Sequence, residues 1–537
     1  MTTIRIGPFL GVKLAPKPHL LDPGIGVACS NANPERGDLQ PWKQPLTVAA
    51  CGGSAKTLFP LPRDAVTDTL YFLEWTTRVH VVRGFRDVDD STKRMYYTGD
   101  GAPKSTDTTL ALAGAPYPTS YRDLGIPLPA TVPTVTQNVA GTGSDETRFY
   151  AYTYVSDWDE EGPPAVSAAF TCKPGAQLTI SNLAPPPSGA GESRGINRIR
   201  LYRTVAGDAG ADFFLLSEIA LATSTTDNAL PVQSDVLTTT KYQKPPTNLK
   251  CLVELPNNFM AGISGKTIRY CEVNRPHAWP TAYVTRVSDQ PIALAVYGST
   301  LLALTTGKPR MIQGRSPEAM DDAPVEMNLP CVSEPSVVTF EHGVAWASAE
   351  GAAYVGAGGP RLLTDGMFTP KQWRALNPET MVGAQYAGLY FLFYNDAGTW
   401  KGIYFDPLRP EAGFRSLTTG YQAAVYDRLS QKLYVRETTN VREWDGGASD
   451  MTADFTSKVF RMQAPTNLSL GEVISTTYPV TLTVYPDALG PFVITVPDRQ
   501  QFTLPGGFMA DDYQVKVAGS GVEGVVLTDT LSELAQT

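Results

Sequence analysis

The sequence has few residues of the kinds on which catalysis and metal binding usually depend. Four of its 537 residues are histidine, and its six cysteines lie far apart with no CxxC pair. HxxxH and HExxH spacings are also missing, so the sequence contains no metal-ligand pattern. Because the chain is too long to need disulfide staples, we expect these cysteines to be free thiols of a protein made in a reducing cytoplasm.

Long apolar runs and the features of a secretory leader are also missing. The most apolar window, from Pro291 to Thr306, is interrupted by Gly298 and Ser299 and is shorter than the about 20 residues of a membrane span. The first residues, MTTIRIGPFLGVK, lack a charged start, an uninterrupted apolar stretch and a small-residue cleavage site. We therefore expect neither membrane crossing nor export by the secretory route.

Positive charge is scarce and scattered. The chain has 44 Lys and Arg against 53 Asp and Glu, a formal net charge of −9, and no run rich in Lys or Arg. Tight binding to nucleic-acid backbones needs a concentrated basic surface, so this composition does not indicate a protein that grips DNA. An acidic surface instead suits DNA that must slide past without sticking.

Glycine, proline, threonine, valine and tyrosine are frequent instead. With 47 Gly, 44 Pro and only 18% charged residues, the composition favours short strands joined by many turns. Apolar residues at helical spacing are not sustained over three turns. We predict an all-β protein with several domains, because single domains usually hold about 100 to 200 residues.

Proline-rich connectors divide the chain into segments. Pro127, Pro129 and Pro133 prevent regular strand pairing and mark one boundary. The predicted organisation is an extended N-terminal arm over 1–45, an N-terminal β segment over 46–130, a fibronectin type III- or immunoglobulin-like sandwich over 131–245, β-propeller-like repeats over 246–450, and a small C-terminal β-domain over 451–537. The last segment has nine acidic and four basic residues, so its charge is 4 − 9 = −5.

A repeat runs through the second half of the chain. Its units begin at Phe259, Ile292, Val337, Met381 and Tyr421, which are 33, 45, 44 and 40 residues apart. Each unit has an alternating strand, a tight turn with Gly or Asp, a second apolar strand and a third strand. This period is typical of four-stranded propeller blades. We predict five or six blades, the sixth formed by residues 46–90 or by the segment after Asp450.

The stretch FYAYTYVSDWDEEGPPA, residues 149–165, changes abruptly from a strand pattern to acidic residues. Its tyrosines alternate with small residues, which predicts a strand with two different faces. Clustered carboxylates can bind calcium, but the spacing DxDxDG of a dedicated site is missing. We interpret the acidic residues as a solvated turn at one end of the sandwich; they are Asp157, Asp159, Glu160 and Glu161.

Two motifs resemble functional ones, and we interpret both as structural. CGGSAKT, from Cys51, has Ala55 where a phosphate loop needs glycine before the lysine. NDAGTW, from Asn395 to Trp400, approaches the Asp box of sialidases but is one residue short and occurs once. We predict that Asp396, Ala397 and Gly398 form a hairpin turn.

No nucleophile and base can be paired from the sequence. The four histidines accompany neither GxSxG nor a reactive-cysteine signature; they are His19, His80, His277 and His342. Paired carboxylates for glycoside hydrolysis stay open, because their spacing is spatial and not sequential. We predict a protein that is not an enzyme, with no catalytic, cofactor-binding or metal-binding residues and no cofactor.

Several stretches together resemble one family of virion proteins. The chain is similar to the tail nozzle proteins, also called tail tubular protein B, of short-tailed bacteriophages. The similarity covers most of the chain and is carried, in this order, by GDLQPWK, RMYYTGDGAPKST, YRDLGIPLP, RIRLYRT, LPNNFMAGISGKTIRYCEVNRPHAWP and FTLPGGFMADDYQVKVAGSGVEGVVLTDTLSEL.

The resemblance implies a structural role in the virion tail. It implies a homo-hexamer assembled in the host cytoplasm, with a tail adaptor protein above it and tail fibres or spikes around it. Genomic DNA would pass through the lumen without sequence-specific binding, the tip would contact the host outer membrane, and no small-molecule substrate would be used. Two alternatives stay open: a tail component that binds or cleaves carbohydrate in a propeller funnel, and a tail-tip or fibre adaptor.

Overall fold

A computed structural model describes residues 3–63, 68–84, 93–205, 212–228, 232 and 235–531. Across this part of the chain, strands, turns and loops dominate and helices are single turns, which confirms the all-β prediction. The helical turns are α1 (Thr108–Ala111), α2 (Pro370–Arg374) and the 3-10 turns Pro18–Leu20, Thr239–Lys241, Pro317–Ala319, Glu334–Ser336, Pro378–Thr380 and Pro410–Ala412. None of the helices described is long and apolar enough to cross a membrane.

The chain divides into two compact units, each built from segments that are not continuous in the sequence. The terminal unit comprises residues 1–76, 304–309 and 325–537, and the central unit comprises 77–303 and 310–324. Both ends of the chain thus belong to one unit. The domain limits at residues 45 and 450 stay predictions. Strand pairing joins the segments on either side of each limit.

Among its described residues, the central unit has three antiparallel sheets in which four strands pair in chain order. Their packed side chains form one apolar core, which includes Tyr96, Leu252 and Leu301. The strands are β10 (His80–Arg83), β11 (Met95–Thr98), β12 (Lys104–Thr106) and β13 (Arg122–Asp123); β23 (Lys250–Leu255), β24 (Phe259–Ser264), β25 (Thr267–Tyr270) and β26 (Val284–Arg286); and β27 (Pro291–Tyr297), β28 (Thr300–Thr305), β29 (Arg310–Gln313) and β30 (Asp321–Pro324).

A β-sandwich is inserted after β13. Its strands are β14 (Thr134–Val139), β15 (Glu146–Arg148), β16 (Tyr150–Ser156), β17 (Ala165–Val166), β18 (Phe170–Cys172), β19 (Gln177–Ser181), β20 (Ile196–Thr204), β21 (Phe213–Ala220) and β22 (Ser224–Asp227). The three tyrosines of β16 lie in a core with Leu178 and Ile199, whereas Ala151 packs on the opposite face against Tyr202. This confirms the alternation predicted for residues 149–155.

One buried acidic group holds the sandwich together. Asp227 is fully buried and accepts hydrogen bonds from Arg203 at 2.6 Å and from the Tyr150 hydroxyl at 2.7 Å. A buried carboxylate is stable only when it is paired and hydrogen-bonded in this way. The network therefore links β22 to β16 and β20.

The terminal unit contains the remaining repeats. Its four-stranded sheets are formed by β31 (Val338–Phe340), β32 (Gly343–Ala347), β33 (Ala352–Gly356) and β34 (Gly359–Leu362); by β35 (Val382–Tyr386), β36 (Leu389–Asp396), β37 (Thr399–Phe405) and β38 (Arg415–Leu417); and by β39 (Ala424–Asp427), β40 (Lys432–Glu437) and β41 (Asn440–Glu443) with β7 (Leu46–Ala50). Each predicted repeat unit therefore lies in a four-stranded sheet, although the fourth strand of the first unit, β23, precedes its predicted start at Phe259.

The prediction that residues 46–90 or the segment after Asp450 form a sixth repeat unit is wrong in its strand assignment. β7 completes the sheet of the fifth unit, the next two strands form a separate pair, and β10 begins a further four-stranded sheet. The pair is β8 (Thr57–Pro60) and β9 (Phe72–Trp75). It packs on β40 through Phe72 and Tyr434, whose ring centroids are 5.1 Å apart.

The first and last parts of the chain form common sheets. The N-terminal strands are β1 (Thr3–Ile6), β2 (Gly11–Val12), β3 (Ile25–Gly26), β4 (Ala28–Ser30), β5 (Ala32–Asn33) and β6 (Gln40–Pro41). The C-terminal strands are β42 (Asp454–Thr456), β43 (Phe460–Thr466), β44 (Leu470–Ser475), β45 (Val480–Pro486), β46 (Phe492–Val496), β47 (Phe502–Thr503), β48 (Ala510–Ala518) and β49 (Val522–Thr528). β1 pairs with β49, and β4 lies between β38 and β42.

Replacing Ile4 by Ala should lower the free energy of unfolding of the terminal unit by about 2–5 kcal/mol, because Ile4 is 2% exposed in the core beside β49. Denaturant titration followed by tryptophan fluorescence measures the change. Arg5→Ala on the exposed side of the same strand is the matched control. Equal effects of the two substitutions would show that β1 contributes nothing specific to this core.

Candidate functional site

The acidic loop between β16 and β17 forms a junction with the neighbouring sheet. Asp157 accepts two hydrogen bonds from the guanidinium group of Arg122 in β13, one of them, from Nη2 to Oδ2, at 2.9 Å. This two-point contact fixes direction as well as distance. Gly195, at φ +68°, leaves room for it, because a Cβ there would collide with both charged groups.

Trp158 occupies the centre of the junction. Its ring lies under the guanidinium groups of Arg94 at 4.7 Å and of Arg122 at 4.0 Å. The tryptophan is 8% exposed, so the ring and both cations are partly shielded from water, which strengthens cation–π attraction. Arg94 precedes β11, so the loop is held to the sheet of β10–β13 at two points.

Two further carboxylates of the loop, those of Asp159 and Glu161, bind arginines of β20. Arg200 donates to Glu161 at 2.8 Å and to Asp159 at 3.0 Å. Glu161 also accepts from the Tyr202 hydroxyl at 2.7 Å. These carboxylate oxygen atoms accept hydrogen bonds from guanidinium and hydroxyl groups, and the bonds hold the loop in place.

Glu160 forms a separate contact that is buried. It is 5% exposed, and its Oε1 lies 3.7 Å from Nδ1 of His277, which is 3% exposed. The interpretation of the acidic residues as a solvated turn is therefore wrong: the loop is paired and partly buried. Single-sequence reasoning missed this because the arginines come from positions 35 to 41 residues away.

A double-mutant cycle on Arg122→Ala and Asp157→Ala should give a coupling energy of about 1–2 kcal/mol, because charge-assisted pairs with partial burial exceed exposed ones. Urea unfolding of the four proteins measures it. The exposed pair Lys308 and Glu326, 3.6 Å apart, is the control and should give close to zero. A coupling no larger than that of the control would show that the junction is not energetically linked.

The thiols do not have the environment of nucleophiles. All six cysteines are free thiols and all except Cys51 are buried. Burial raises the pKa of Cys29 to about 11 and the pKa of Cys271 to about 12. At neutral pH these two side chains are protonated, and the thiolate is the reactive form.

Two sequence motifs occupy structural positions. In CGGSAKT, the Gly52 N–H donates to a carboxylate oxygen of Glu74 at 2.7 Å, so an acidic side chain lies where a phosphate loop would hold an anion. In NDAGTW, Ala397 and Gly398 both have positive φ and connect paired strands β36 and β37. That is a two-residue hairpin turn, as predicted.

A cleft of about 430 Å³ lies in the terminal unit beside the β35–β36 turn. Asp445 is half-buried in it and accepts a hydrogen bond from the Lys43 backbone N–H at 2.8 Å. Burial raises the pKa of the Asp445 carboxyl group above its usual value. Tyr386, Asp406 and Arg409 also line the cleft, an arrangement that can bind a small polar group.

Replacing Asp445 by Asn should raise the urea midpoint of the terminal unit at pH 7. The Asn side chain can still accept from Lys43, and it tolerates the left-handed backbone at this position, where φ is 59°. Since the native pKa is raised, ionised Asp445 opposes folding above that pKa. The advantage of the substitution should therefore shrink as the pH falls towards 3.8, the ordinary value.

Midpoints measured between about pH 3.5 and about pH 7.5, on either side of the ordinary and raised pKa, test this on the intact chain. Asp365→Asn, at an exposed position of the terminal unit, is the matched control. An Asp445→Asn variant that is destabilised at pH 7, or a difference that grows on acidification, would contradict the assignment.

The sequence matches no protein-family model and no curated protein. Solved structures similar to the chain include the AfRom2 CNH domain, with 10% identity over 61% of this chain and 96% of that chain, at a TM-score of 0.26. The extracellular domain of a putative hybrid two component system from B. thetaiotaomicron has 8% identity, covering 90% of this chain and 69% of that chain, at a TM-score of 0.22.

A third similar structure is a glycoside hydrolase family 43 arabinoxylan arabinofuranohydrolase from Bacillus subtilis. It is 10% identical, over 66% of this chain and 92% of that chain, at a TM-score of 0.17. Overlap at these TM-scores is too low to assign a fold or an activity. The fold class rests on the strands and sheets described above.

Proposed function

We propose that this chain is a structural subunit of the tail of a short-tailed bacteriophage. Six copies would form the nozzle through which DNA is ejected into the host. A tail adaptor protein would sit above the ring, fibres or spikes would surround it, and its tip would contact the host outer membrane. In this proposal the protein belongs to the virion and performs no reaction.

The observation that carries the proposal is the position of the stretches that resemble nozzle proteins. Trp42, from GDLQPWK, is 2% exposed in an aromatic core. Arg122, from YRDLGIPLP, holds the acidic loop, and Met260, from the stretch that begins LPNNFM, is fully buried. Stretches that fix the architecture support a structural role better than a catalytic one.

Charge supports the same proposal. A formal charge of −9 per chain gives 6 × −9 = −54 for a hexamer. A channel wall of this sign repels phosphate groups, so that DNA passes without being held. The pairing of both chain ends in common sheets would help each subunit keep its shape while DNA moves.

Electron microscopy of the purified chain, alone and mixed with the adaptor, should show six-fold rings with a central channel. The ring is expected because the proposed role needs a closed wall around DNA. Incubation with host surface polysaccharide, followed by a reducing-sugar assay, should give no release of sugar. A chain that stays monomeric with the adaptor present, or one that releases sugar, would refute the proposal.

A further inference from the structure

Strand β46 is an open, uncharged edge of the terminal unit. Its sequence is FVITV, residues 492–496, and in the described part of the chain it pairs with β45 and with no other strand. Pro491 and Pro497 flank it. Natural proteins usually protect such edges with lysine, inward charges or a covering segment, because an open apolar edge binds other chains.

The outward face of β45 and β46 carries no charged side chain; it presents Thr481, Thr483, Tyr485, Val493 and Thr495. Val493 is 66% exposed and lies opposite Thr483, two residues from Tyr485, which is 37% exposed. In an antiparallel pair these side chains share one face. Leu489, in the connecting turn, is 48% exposed. This set of side chains, with residues 492–496, is called the C-terminal edge below.

Carboxylates lie at both ends of the C-terminal edge. Asp487 is exposed in the turn before β46, and Asp498 is exposed just after the strand. Both side chains accept hydrogen bonds from nearby backbone N–H groups, Asp487 from Asp511 and Asp498 from Gln500. Neither forms an ion pair within the described residues. A complementary surface would therefore be apolar and basic.

The N-terminal arm offers such a surface in residues 13–20, KLAPKPHL. This segment has two lysines, no acidic residue, and two exposed leucines: Leu14 at 37% and Leu20 at 67%. Its backbone is fixed, because the Leu14 N–H donates to the Met367 carbonyl at 2.7 Å and Gln372 donates to the Leu14 carbonyl at 3.0 Å. In the described structure, Lys13 and Lys17 form no ion pair.

We propose that the C-terminal edge of one copy binds residues 13–20 of a second copy of this chain. The prolines of the segment cannot add a regular strand ladder, so the contact consists of apolar packing with Lys13 and Lys17 facing Asp487 and Asp498. The two surfaces differ, which makes the contact heterologous, and repeated heterologous contacts can close into a ring. The inference thus rests on the nozzle proposal and refines it.

Light scattering after size-exclusion chromatography, over a range of concentrations of the full chain, tests the contact. Val493→Lys should weaken association by at least about tenfold, since a lysine would be buried in the interface. Leu429→Lys is the matched control: Leu429 is 70% exposed in the β39–β40 turn and should be replaceable without effect. Thermal unfolding verifies that both variants fold.

Charge reversal tests the pairing itself. Asp487→Lys with Asp498→Lys should weaken association, and so should Lys13→Glu with Lys17→Glu. All four changes in one chain should restore it to within about threefold of the wild type, because every contact then pairs opposite charges again. Weakening without restoration overturns the pairing, and a wild-type chain that never associates overturns it as well.

The outcomes for this contact and for the nozzle proposal can be told apart. Normal six-fold rings of Val493→Lys overturn the contact and leave the nozzle proposal standing. Association that depends on Val493 and on the charge pairs, but yields no ring with the adaptor, supports the contact and overturns the nozzle proposal.

Discussion

Hydrogen bonding between strands that lie far apart in the sequence is the interaction on which the terminal unit depends. Asn440 pairs with Ala50, and Ser416 pairs with Ser30. Without these partners, β41 and β38 would present open edges to solvent. The entropic cost of closing such long loops grows only slowly with their length, so pairing the two ends of the chain is a feasible way to complete the sheets.

The central unit depends on a different device, in which charged side chains fasten the inserted sandwich to a neighbouring sheet. The acidic loop meets arginines from β13, from the segment before β11 and from β20. Ion pairs alone are weak on a surface. Their combination with the buried ring of Trp158 and a two-point contact at Asp157 makes the junction directional, which suits a module that must keep a fixed orientation.

Both devices serve the architecture. The first uses backbone hydrogen bonds between strands, and the second pairs acidic side chains with arginines. The exposed features described in the terminal unit are a polar cleft beside Asp445 and the uncharged C-terminal edge with its exposed Val493. A protein that holds copies of itself together needs surfaces of the second kind, which is why the proposed role is structural.

The sequence by itself determined the class of fold and the alternation of β16, because strand periodicity and turn residues are local properties. It also determined that Ala397 and Gly398 form a turn. Only the tertiary structure decided that β7 belongs to the sheet of the fifth repeat, and that Asp157 pairs with Arg122. Partners separated by tens or hundreds of residues leave no local pattern. The sequence around such a side chain is the same whether the side chain lies in a solvated loop or in a buried pair.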